Sequence, residues 1–275
     1  MDCRAANPIR EVWGGMDCVD LSIPLSADLP INWPPLPPFR KHILSWFEDY
    51  AAPNGETLFS TGIYYAQSLE LDEHTGTQVD FPLHVLPPHE LKEQGIGQDT
   101  PLNQFAGPAM VIDVTEHLDN APAGKSPRIP GEVVPAWENT NGILQAGDIV
   151  LFNTAYMERY FSPFPAGNRS VRQPLFSKDV PGWPVPSGEL FEILTTRGVR
   201  HIGISNPSIG ALDDPSGPHR AGILRGITFA ECLITLGRLL PRGALYIGLP
   251  LRIAHQSGSP IRAVAFKPSG SRRLP

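Results

Sequence analysis

The chain has few cysteines and no long hydrophobic run. Its 275 residues contain only Cys3, Cys18 and Cys232, an odd number without C-x-x-C spacing, which argues against a disulfide framework or a cysteine zinc knuckle. No apolar run approaches the roughly 18 residues needed to cross a bilayer, and the first residues lack the apolar segment of a signal peptide. We therefore expect reduced thiols, no membrane partner and a cytoplasmic location.

Positive charge and several common catalytic motifs are also scarce. The sequence has 22 lysines and arginines against 28 aspartates and glutamates, a net charge of −6, without a dense basic cluster. A nucleic-acid partner is therefore not expected. The chain also lacks the G-x-S-x-G nucleophile elbow, the G-x-x-x-x-G-K-[ST] phosphate loop and the H-E-x-x-H zinc helix. A small-molecule ligand is the expectation that remains.

Proline, in contrast, is abundant. The 31 prolines gather in the stretches LPINWPPLPPF, PFPAGNRSVRQP and VPGWPVP, which we interpret as ordered, extended loops, because proline removes backbone donors and restricts φ. Aromatic residues in these loops, such as Trp33 and Trp183, would suit a planar ligand or anchor the loops. We find no internal repeat and no linker, so we predict a single domain over residues 1–275.

Apolar periodicity predicts the fold class. Helical spacing predicts one helix over residues 187–199, with Ser187 as N-cap and Gly198 at its end, and a second helix over residues 225–240. A helix that leads into a strand is typical of α/β proteins, so we expect an α/β fold with a large β component. Short apolar or alternating runs predict strands over residues 18–25, 64–71, 109–114, 148–155, 200–206, 244–251 and 263–268.

Four polar side chains that can bind a metal lie close together in the stretch LELDEHTGTQVDFPLHVLP. His74, Gln78, Asp80 and His84 lie within eleven positions, and residues two apart share a face of an extended chain, although Gly76 predicts a bend. Imidazole nitrogens and carboxylate oxygens suit Zn²⁺, Mn²⁺ or Fe²⁺, whereas an amide oxygen is a weaker, neutral donor. The alternative is a chance group of polar residues in a turn.

A second candidate region lies about 140 residues further along the chain. His219 is in a loop rich in glycine and proline, and Glu231 falls among apolar residues of the second predicted helix. A carboxylate on an apolar face costs several kcal/mol unless it is paired or binds a metal. Alternatively, Glu231 lies at the edge of that face and pairs with Arg225 or Arg238. The other histidines are isolated, and we interpret them as structural or surface residues: His42, His89, His117, His201 and His255.

The segment HTGTQVDFPLH resembles the motif H-x-G-T-H-x-D-x-P-x-H of the metal-dependent cyclase family, which includes bacterial kynurenine formamidase, isatin hydrolase and trans-dienelactone hydrolase. It departs from that motif at one fixed position, Gln78. The resemblance extends over most of the chain, and it is carried further by VDLSIPLSADLP, AGDIVLFNTAY, GVRHIGISNPSIG, HRAGILRGITFAECLITLGRL and GSPIRAVA.

This resemblance implies a fold and a set of roles. The fold is a mixed β/β/α cyclase-like arrangement with a central mixed sheet, flanking helices and long proline-rich loops, in a homodimer or homotetramer. His74 would bind a first metal, Asp80 would bridge two metals or bind a single one, and His219 with Glu231 would complete a second position. His84 would be the catalytic histidine that transfers protons. The cofactor would be a divalent metal, Zn²⁺ or Mn²⁺, with one or two ions per subunit.

Three positions depart from the family pattern. Gln78 stands where the family has a metal-binding histidine, and Asn206 and Gly210 stand where it often has aspartate. Because an amide oxygen binds zinc less tightly than imidazole, we expect Gln78 to weaken the first position or to favour a harder ion such as Mn²⁺. Asp80, His219 and Glu231 remain a complete set of ligands for one metal.

These observations favour one function over three alternatives. The first hypothesis is a metal-dependent hydrolase that opens a lactone, a cyclic amide or a related acyl C–O or C–N bond with a metal-activated water. The resemblance associates the glutamine form of the motif with lactone hydrolases rather than formamidases. The alternatives are a biosynthetic cyclase or lyase that uses the metal as a Lewis acid, a kynurenine formamidase (arylformamidase), and a metal-free relative that binds ligand without catalysis.

Overall fold

The structure is a computed structural model that describes residues 14–34, 36–47, 49–59, 64–91 and 99–271. Within these ranges the chain forms a nine-stranded mixed sheet and three small two-stranded sheets. Numbered in chain order, the strands are β1 Met16–Asp20, β2 Arg40–Trp46, β3 Tyr50–Ala51, β4 Thr57–Phe59, β5 Tyr65–Glu70, β6 Gln78–Asp80, β7 Ala106–Asp113, β8 Arg128–Ile129, β9 Ile149–Asn153, β10 Val185–Pro186, β11 His201–Ile204, β12 Thr228–Glu231, β13 Ala244–Ile247, β14 Gly258–Pro260 and β15 Val264–Pro268.

The large sheet has a parallel centre and antiparallel margins. Its strand order is β1-β15-β13-β7-β9-β11-β12-β6-β14. The pairs β7 with β9, β9 with β11 and β11 with β12 are parallel, while the other pairs are antiparallel. The predicted α/β class with a central mixed sheet is therefore confirmed.

Both faces of the parallel centre are buried. On β9, Val150 and Phe152 belong to a core on the helical side, whereas Ile149 and Leu151 belong to a core enclosed by the curled sheet. Alternate residues of a strand point to opposite faces, so two covered faces require the continuous apolar run that this strand has.

Five α-helices flank the sheet within the described ranges. The predicted helix at residues 187–199 is confirmed: the Ser187 hydroxyl accepts a hydrogen bond of 3.2 Å from the Leu190 backbone N–H, and Gly198 follows with a φ of 75°. The helices are α1 Thr115–Asp119, α2 Val133–Asn141, α3 Tyr156–Tyr160, α4 Gly188–Thr196 and α5 Gly217–Ile223. None of them combines the length and the apolar character that spanning a bilayer requires.

The prediction of a helix over residues 225–240 is wrong. This segment contains the strand β12 and a 3₁₀ turn at Leu236–Arg238. β12 lies between β11 and β6, with Phe229 in one core and Ala230 in the other. A strand covered on both faces has a continuous apolar run, which periodicity cannot distinguish from a buried helix. Glu231 consequently lies at the end of a central strand.

All seven predicted strands are found, but their ends are shifted. They correspond to β1, β5, β7, β9, β11, β13 and β15, and β1 ends at Asp20 rather than at residue 25. The proline-rich stretch at residues 163–174 is not simply extended, because it contains a 3₁₀ turn at Ala166–Arg169 and leads into a π turn at Gln173–Ser177. Other 3₁₀ turns lie at Pro82–His84, Pro88–Glu90 and Leu102–Gln104.

Candidate metal centre

Three adjacent strands place the candidate ligands. β6 lies between β12 and β14, and its residue Gln78 is directly opposite Glu231. Gln78 and Asp80 are two apart, so their side chains share a face of the sheet with Glu231. The helix α5 and the turn Pro82–His84 add His219 and His84 above this face. Residues predicted from two distant segments therefore converge, as expected.

The loop before β6 is held by side chains of its own. The Asp72 carboxylate accepts hydrogen bonds from the His74 backbone N–H (2.8 Å) and the Thr75 hydroxyl (2.9 Å). Gly76 has a φ of 74°, and a Cβ at this position would lie 2.5 Å from Leu25 Cδ2. The H-x-G-T part of the motif is therefore a tight turn that requires glycine both for conformation and for space.

Asp80, His219 and Glu231 form a fully buried triangle. His219 Nε2 lies 3.4 Å from Asp80 Oδ2 and 3.5 Å from Glu231 Oε1. Two ligand atoms that each lie about 2.1 Å from one ion at the tetrahedral angle are about 3.4 Å apart. His219 Nδ1 donates to the Pro215 carbonyl over 2.7 Å, which makes Nε2 the nitrogen directed at the two carboxylates. These donors fit a divalent metal ion.

A second group shares Asp80. His74 Nδ1 lies 2.9 Å from Asp80 Oδ1, and the rings of His74 and His84 are 4.0 Å apart between centroids. One donor atom each from His74, Asp80 and His84 lie within 4.8 Å of one another. Asp80 thus contributes to both groups, which is the bridging position that the resemblance assigns to it. This geometry also makes His84 a possible ligand besides its predicted role as the catalytic histidine.

Only one of the two polar atoms of the Gln78 side chain has a hydrogen-bond partner. Its amide nitrogen donates to Glu231 Oε2 over 2.7 Å, while its Oε1 is buried and has no hydrogen-bond partner. Asp80 Oδ2 is likewise buried without a hydrogen-bond partner. Two unsatisfied buried oxygens in one cluster are unfavourable without a cation or a donor, so they indicate that the site binds a positive charge.

The protonation of the cluster also indicates that the site binds a positive charge. Burial favours the neutral form of Asp80, but His84, His219 and His74 outweigh it and hold the pKa of Asp80 well below its usual range. Burial would also lower the pKa of His219, but its contacts with Asp80 and Glu231 raise that pKa to about 10. Burial and the charge of Asp80 raise the pKa of Glu231. The metal-free cluster therefore retains protons that a bound cation would displace.

His84 lies at the mouth of the site, where its residue is still open to solvent. Desolvation by the surrounding protein lowers its pKa, the charge of Asp80 opposes this shift, and the neighbouring His74 and His219 add to it. The His84 and His219 rings are 5.2 Å apart between centroids. An imidazole with a lowered pKa is neutral at pH 7 and can accept a proton.

A cavity of about 400 Å³ opens above the cluster. His74, Gln78, His219 and Glu231 line its floor, and the exposed His84 lines it nearer the mouth. Its walls are mainly apolar, and they include two aromatic residues of the proline-rich loops, Trp33 and Trp183, which meet edge to face at 5.7 Å between centroids. The other large apolar wall residues are Leu36, Val85, Leu175 and Leu212.

The two remaining departures from the family pattern have structural explanations. Asn206 is fully buried, accepts a hydrogen bond of 2.6 Å from the Thr154 hydroxyl and donates to the Pro184 carbonyl. A Cβ at Gly210 would lie 2.2 Å from the Pro215 carbonyl oxygen and 2.8 Å from His219 Cε1. Asn206 therefore ties loops together, and Gly210 leaves room for His219.

Sequence reasoning missed Glu73 and Ser257. The Ser257 hydroxyl lies 3.1 Å from His74 Nε2 and donates to Glu73 Oε2 over 2.5 Å. Ser257 is 183 residues from His74 in the chain, so no local pattern links them. The acidic residue next to the motif histidine was the only sequence signal available. Of the isolated histidines, His201 is buried, while His42 and His89 are exposed, as expected for structural and surface residues.

Comparison with known proteins identifies relatives of the whole fold. Residues 19–211 match the Cyclase family model, described as "Putative cyclase". A kynurenine formamidase of Salinibacter ruber is 34% identical over 199 residues, covering 72% of this chain and 77% of the relative. An isatin hydrolase of Roseibium aggregatum is 26% identical over 217 residues, covering 76% and 78%.

A solved structure shares the fold. Isatin hydrolase A from Labrenzia aggregata, bound to benzyl benzoate, superposes with a TM-score of 0.75 at 24% identity and covers 95% of this chain and 98% of that chain. At this identity the similarity establishes the architecture, and the chemistry has to be argued from the residues of the centre.

Proposed function

Since the chain belongs to the cyclase family of metal-dependent hydrolases, we propose that it opens a lactone, a cyclic amide or a related acyl C–O or C–N bond. The observation that carries this proposal is the buried triangle of Asp80, His219 and Glu231 at the floor of a mainly apolar cavity. Relatives named kynurenine formamidase and isatin hydrolase support hydrolysis of an acyl bond.

A divalent metal is the cofactor, and its identity and number are part of the proposal. Asp80, His219 and Glu231 would hold one ion, and His74 with the shared Asp80 would hold a second, more weakly bound one. When bound, such an ion lowers the pKa of a coordinated water from about 15.7 toward 7 and polarises a substrate carbonyl. Zinc suits the imidazole and carboxylate donors, while the amide oxygen of Gln78 favours manganese.

The protein's own residues would orient the substrate and transfer protons. His84 stands between the cavity mouth and the cluster, with its ring next to those of His74 and His219. As a neutral imidazole it would accept a proton from the attacking water and return it to the leaving nitrogen or oxygen. Trp33, Trp183 and Leu212 would hold an apolar ring against the floor and exclude bulk water.

The charge of the cavity favours an uncharged substrate. Among the described residues that line it, none is lysine or arginine, whereas Glu231 is part of the lining and shares His219 with the Asp80 carboxylate. A substrate with its own carboxylate would meet like charge there without a cationic partner other than the metal. This favours a neutral lactone or cyclic amide. An arylformamidase is the second candidate, favoured by the 34% identical relative.

A substrate screen tests the proposal. Small lactones, cyclic imides and aryl formamides are incubated with the protein loaded with Zn²⁺ or Mn²⁺, in water enriched in ¹⁸O. We expect ring opening with one ¹⁸O in the product acid. Turnover without ¹⁸O would contradict hydrolysis and support a ring-forming enzyme, and absence of bound metal together with absence of metal-restored activity would contradict both.

Four expectations from the sequence stay predictions: a single domain over residues 1–275, a cytoplasmic location, a small-molecule substrate without nucleic-acid or membrane partners, and a homodimer or homotetramer. The last one is supported by the ribbon of β2 and β5. Apart from Ser45, every residue of β2 is exposed, including Ile43, Leu44 and Trp46. A two-stranded ribbon is marginally stable alone in water, so we propose that a second copy of this chain covers it.

A further inference from the structure

We infer that Ser257 and Glu73 are positioning residues that hold a proton of His74 on Nε2 and so make Nδ1 the nitrogen that binds a metal ion. This inference rests on the proposed function and extends it, because it names the ligating atom and the residues that select it. It concerns a relay of three side chains on the side of His74 that faces away from Asp80.

The relay joins two distant parts of the chain. Ser257 Oγ lies 3.1 Å from His74 Nε2, and the same hydroxyl lies 2.5 Å from Glu73 Oε2. The Ser257 backbone N–H also donates to Glu73 Oε2 over 2.8 Å. Glu73 therefore anchors both the backbone and the side chain of Ser257, and this serine is held at a defined position beside the ring.

The direction of the hydrogen bonds follows from the number of protons. A carboxylate only accepts, so the single hydroxyl proton of Ser257 is directed at Glu73. The serine oxygen can then only accept from His74, and a proton of the imidazole must lie on Nε2. Nδ1 lies 2.9 Å from Asp80 Oδ1, which also only accepts, so in the metal-free protein Nδ1 carries a proton as well, and a bound ion would displace that proton. Nδ1 is therefore the atom available to an ion shared with Asp80.

The position of the ring is also fixed sterically. Gly258, the first residue of β14, lies opposite Asp80 in the sheet, and a Cβ there would lie 2.4 Å from His74 Cε1. The ring of His84 also packs against His74, at 4.0 Å between centroids and with a tilt of 39°. Glycine at position 258 thus leaves room for the ring in the orientation that directs Nδ1 at Asp80 and Nε2 at Ser257.

His219 shows the same arrangement with the nitrogens exchanged. Its Nδ1 donates to the Pro215 carbonyl, and its Nε2 faces Asp80 and Glu231. A backbone carbonyl needs no further support as an acceptor, but a serine hydroxyl can either donate or accept. Glu73 removes this ambiguity, which gives a specific reason for an acidic residue directly before the motif histidine.

The experiment measures Zn²⁺ affinity by competition with a chromophoric chelator. His74→Ala should abolish the Zn²⁺-binding step to which His74 contributes. In that step, Ser257→Ala and Glu73→Ala are expected to bind Zn²⁺ about 10–100-fold more weakly than the wild type, which is the range for residues that orient metal ligands. Ser257→Thr retains the hydroxyl and should restore affinity. Ser269→Ala is the matched control, because it removes a serine-to-carboxylate hydrogen bond of 2.9 Å to Asp17. Neither Ser269 nor Asp17 belongs to the metal centre.

A second measurement leaves Ser257 and Glu73 unchanged. In ¹⁵N spectra of the Zn²⁺-loaded wild type, the histidine signal that disappears in His74→Gln should show a protonated Nε2 and a metal-bound Nδ1. A protonated Nδ1, or a Ser257→Ala variant with wild-type affinity, overturns the inference while the metal site stands. A wild-type protein that binds no Zn²⁺ overturns the proposed function as well, so the two failures are distinguishable.

Discussion

Gln78 and Glu231 are direct partners across the antiparallel strands β6 and β12, and the Gln78 amide nitrogen donates to Glu231 Oε2 over 2.7 Å. The residue that departs from the family motif therefore holds one of the candidate metal ligands in place. Its Oε1 is buried without a hydrogen-bond partner. We therefore expect Gln78 to permit metal binding and to adjust its strength.

Replacing Gln78 with histidine tests this adjustment. We expect Gln78→His to bind Zn²⁺ more tightly, because an imidazole nitrogen is a better zinc ligand than an amide oxygen. Affinity is measured by chelator competition, with Gln145→His on the surface as control. Weaker zinc binding in Gln78→His would show that the hydrogen bond to Glu231 matters more than donor type.

Asp80 is shared by both groups of donors, so Asp80→Asn should remove metal from both. We expect Zn²⁺ affinity to fall by at least about 100-fold, more than for residues that only orient ligands. Metal content after gel filtration is the measurement. Asp213→Asn, an exposed carboxylate that pairs with Arg128, should keep its full content. A metal-loaded Asp80→Asn protein would contradict the assignment of both groups.

His84→Ala separates proton transfer from ligation. If His84 transfers protons, the variant retains its metal while kcat falls by about 10²–10⁴-fold, the usual contribution of a general acid or base. His89→Ala, whose side chain is 80% exposed, is the control. Loss of metal from His84→Ala would instead make His84 a ligand, and full activity would remove it from the mechanism.

His201 should make the protein sensitive to acid at a place remote from the cavity lining. Burial lowers its pKa from 6.5 to about 3, and its Nε2 has no hydrogen-bond partner. The unfolded chain therefore binds a proton that the folded chain does not, so the contribution of His201 to stability is complete above pH 6.5 and is lost as the pH falls toward 3.

The measurement is the free energy of unfolding by urea between pH 7 and about pH 4. Relative to His201→Phe, the wild type should lose up to about 1.4 kcal/mol more for each pH unit below the pKa of the unfolded histidine. His89→Phe should leave the slope unchanged. Parallel pH profiles for the wild type and His201→Phe would show that His201 does not control acid sensitivity.

The oligomer is tested on the exposed ribbon. Ile43 is 62% exposed on β2, and Ile43→Glu should shift the protein toward the monomer, because a charge would be buried in the contact between copies. Leu102→Glu, at a site 66% exposed in a separate turn, is the matched control. Light scattering across a concentration series measures the mass. A monomeric wild type contradicts the predicted oligomer.

Local chemistry explains what could be predicted from the sequence. The donors His74, Gln78, Asp80 and His84 are close together in the chain, and their type and spacing indicate a metal site before any fold is known. Strands such as β7 and β9 are long enough for their apolar runs to be recognised in the sequence, and the helix α4 has a clear N-cap. The strands β6 and β14 have only three residues each, too few for periodicity to identify, and β12 has the continuous apolar run that a buried helix also shows.

The sequence by itself therefore determined the α/β class, the family resemblance and the candidate ligands on both segments. Only the tertiary structure decided that Glu231 lies on a strand opposite Gln78, that Asn206 and Gly210 have structural roles, and that Ser257 and Glu73 lie beside His74. The physical reason is that donor chemistry belongs to each residue, whereas strand register, burial and the direction of a hydrogen bond depend on partners that are distant in the chain.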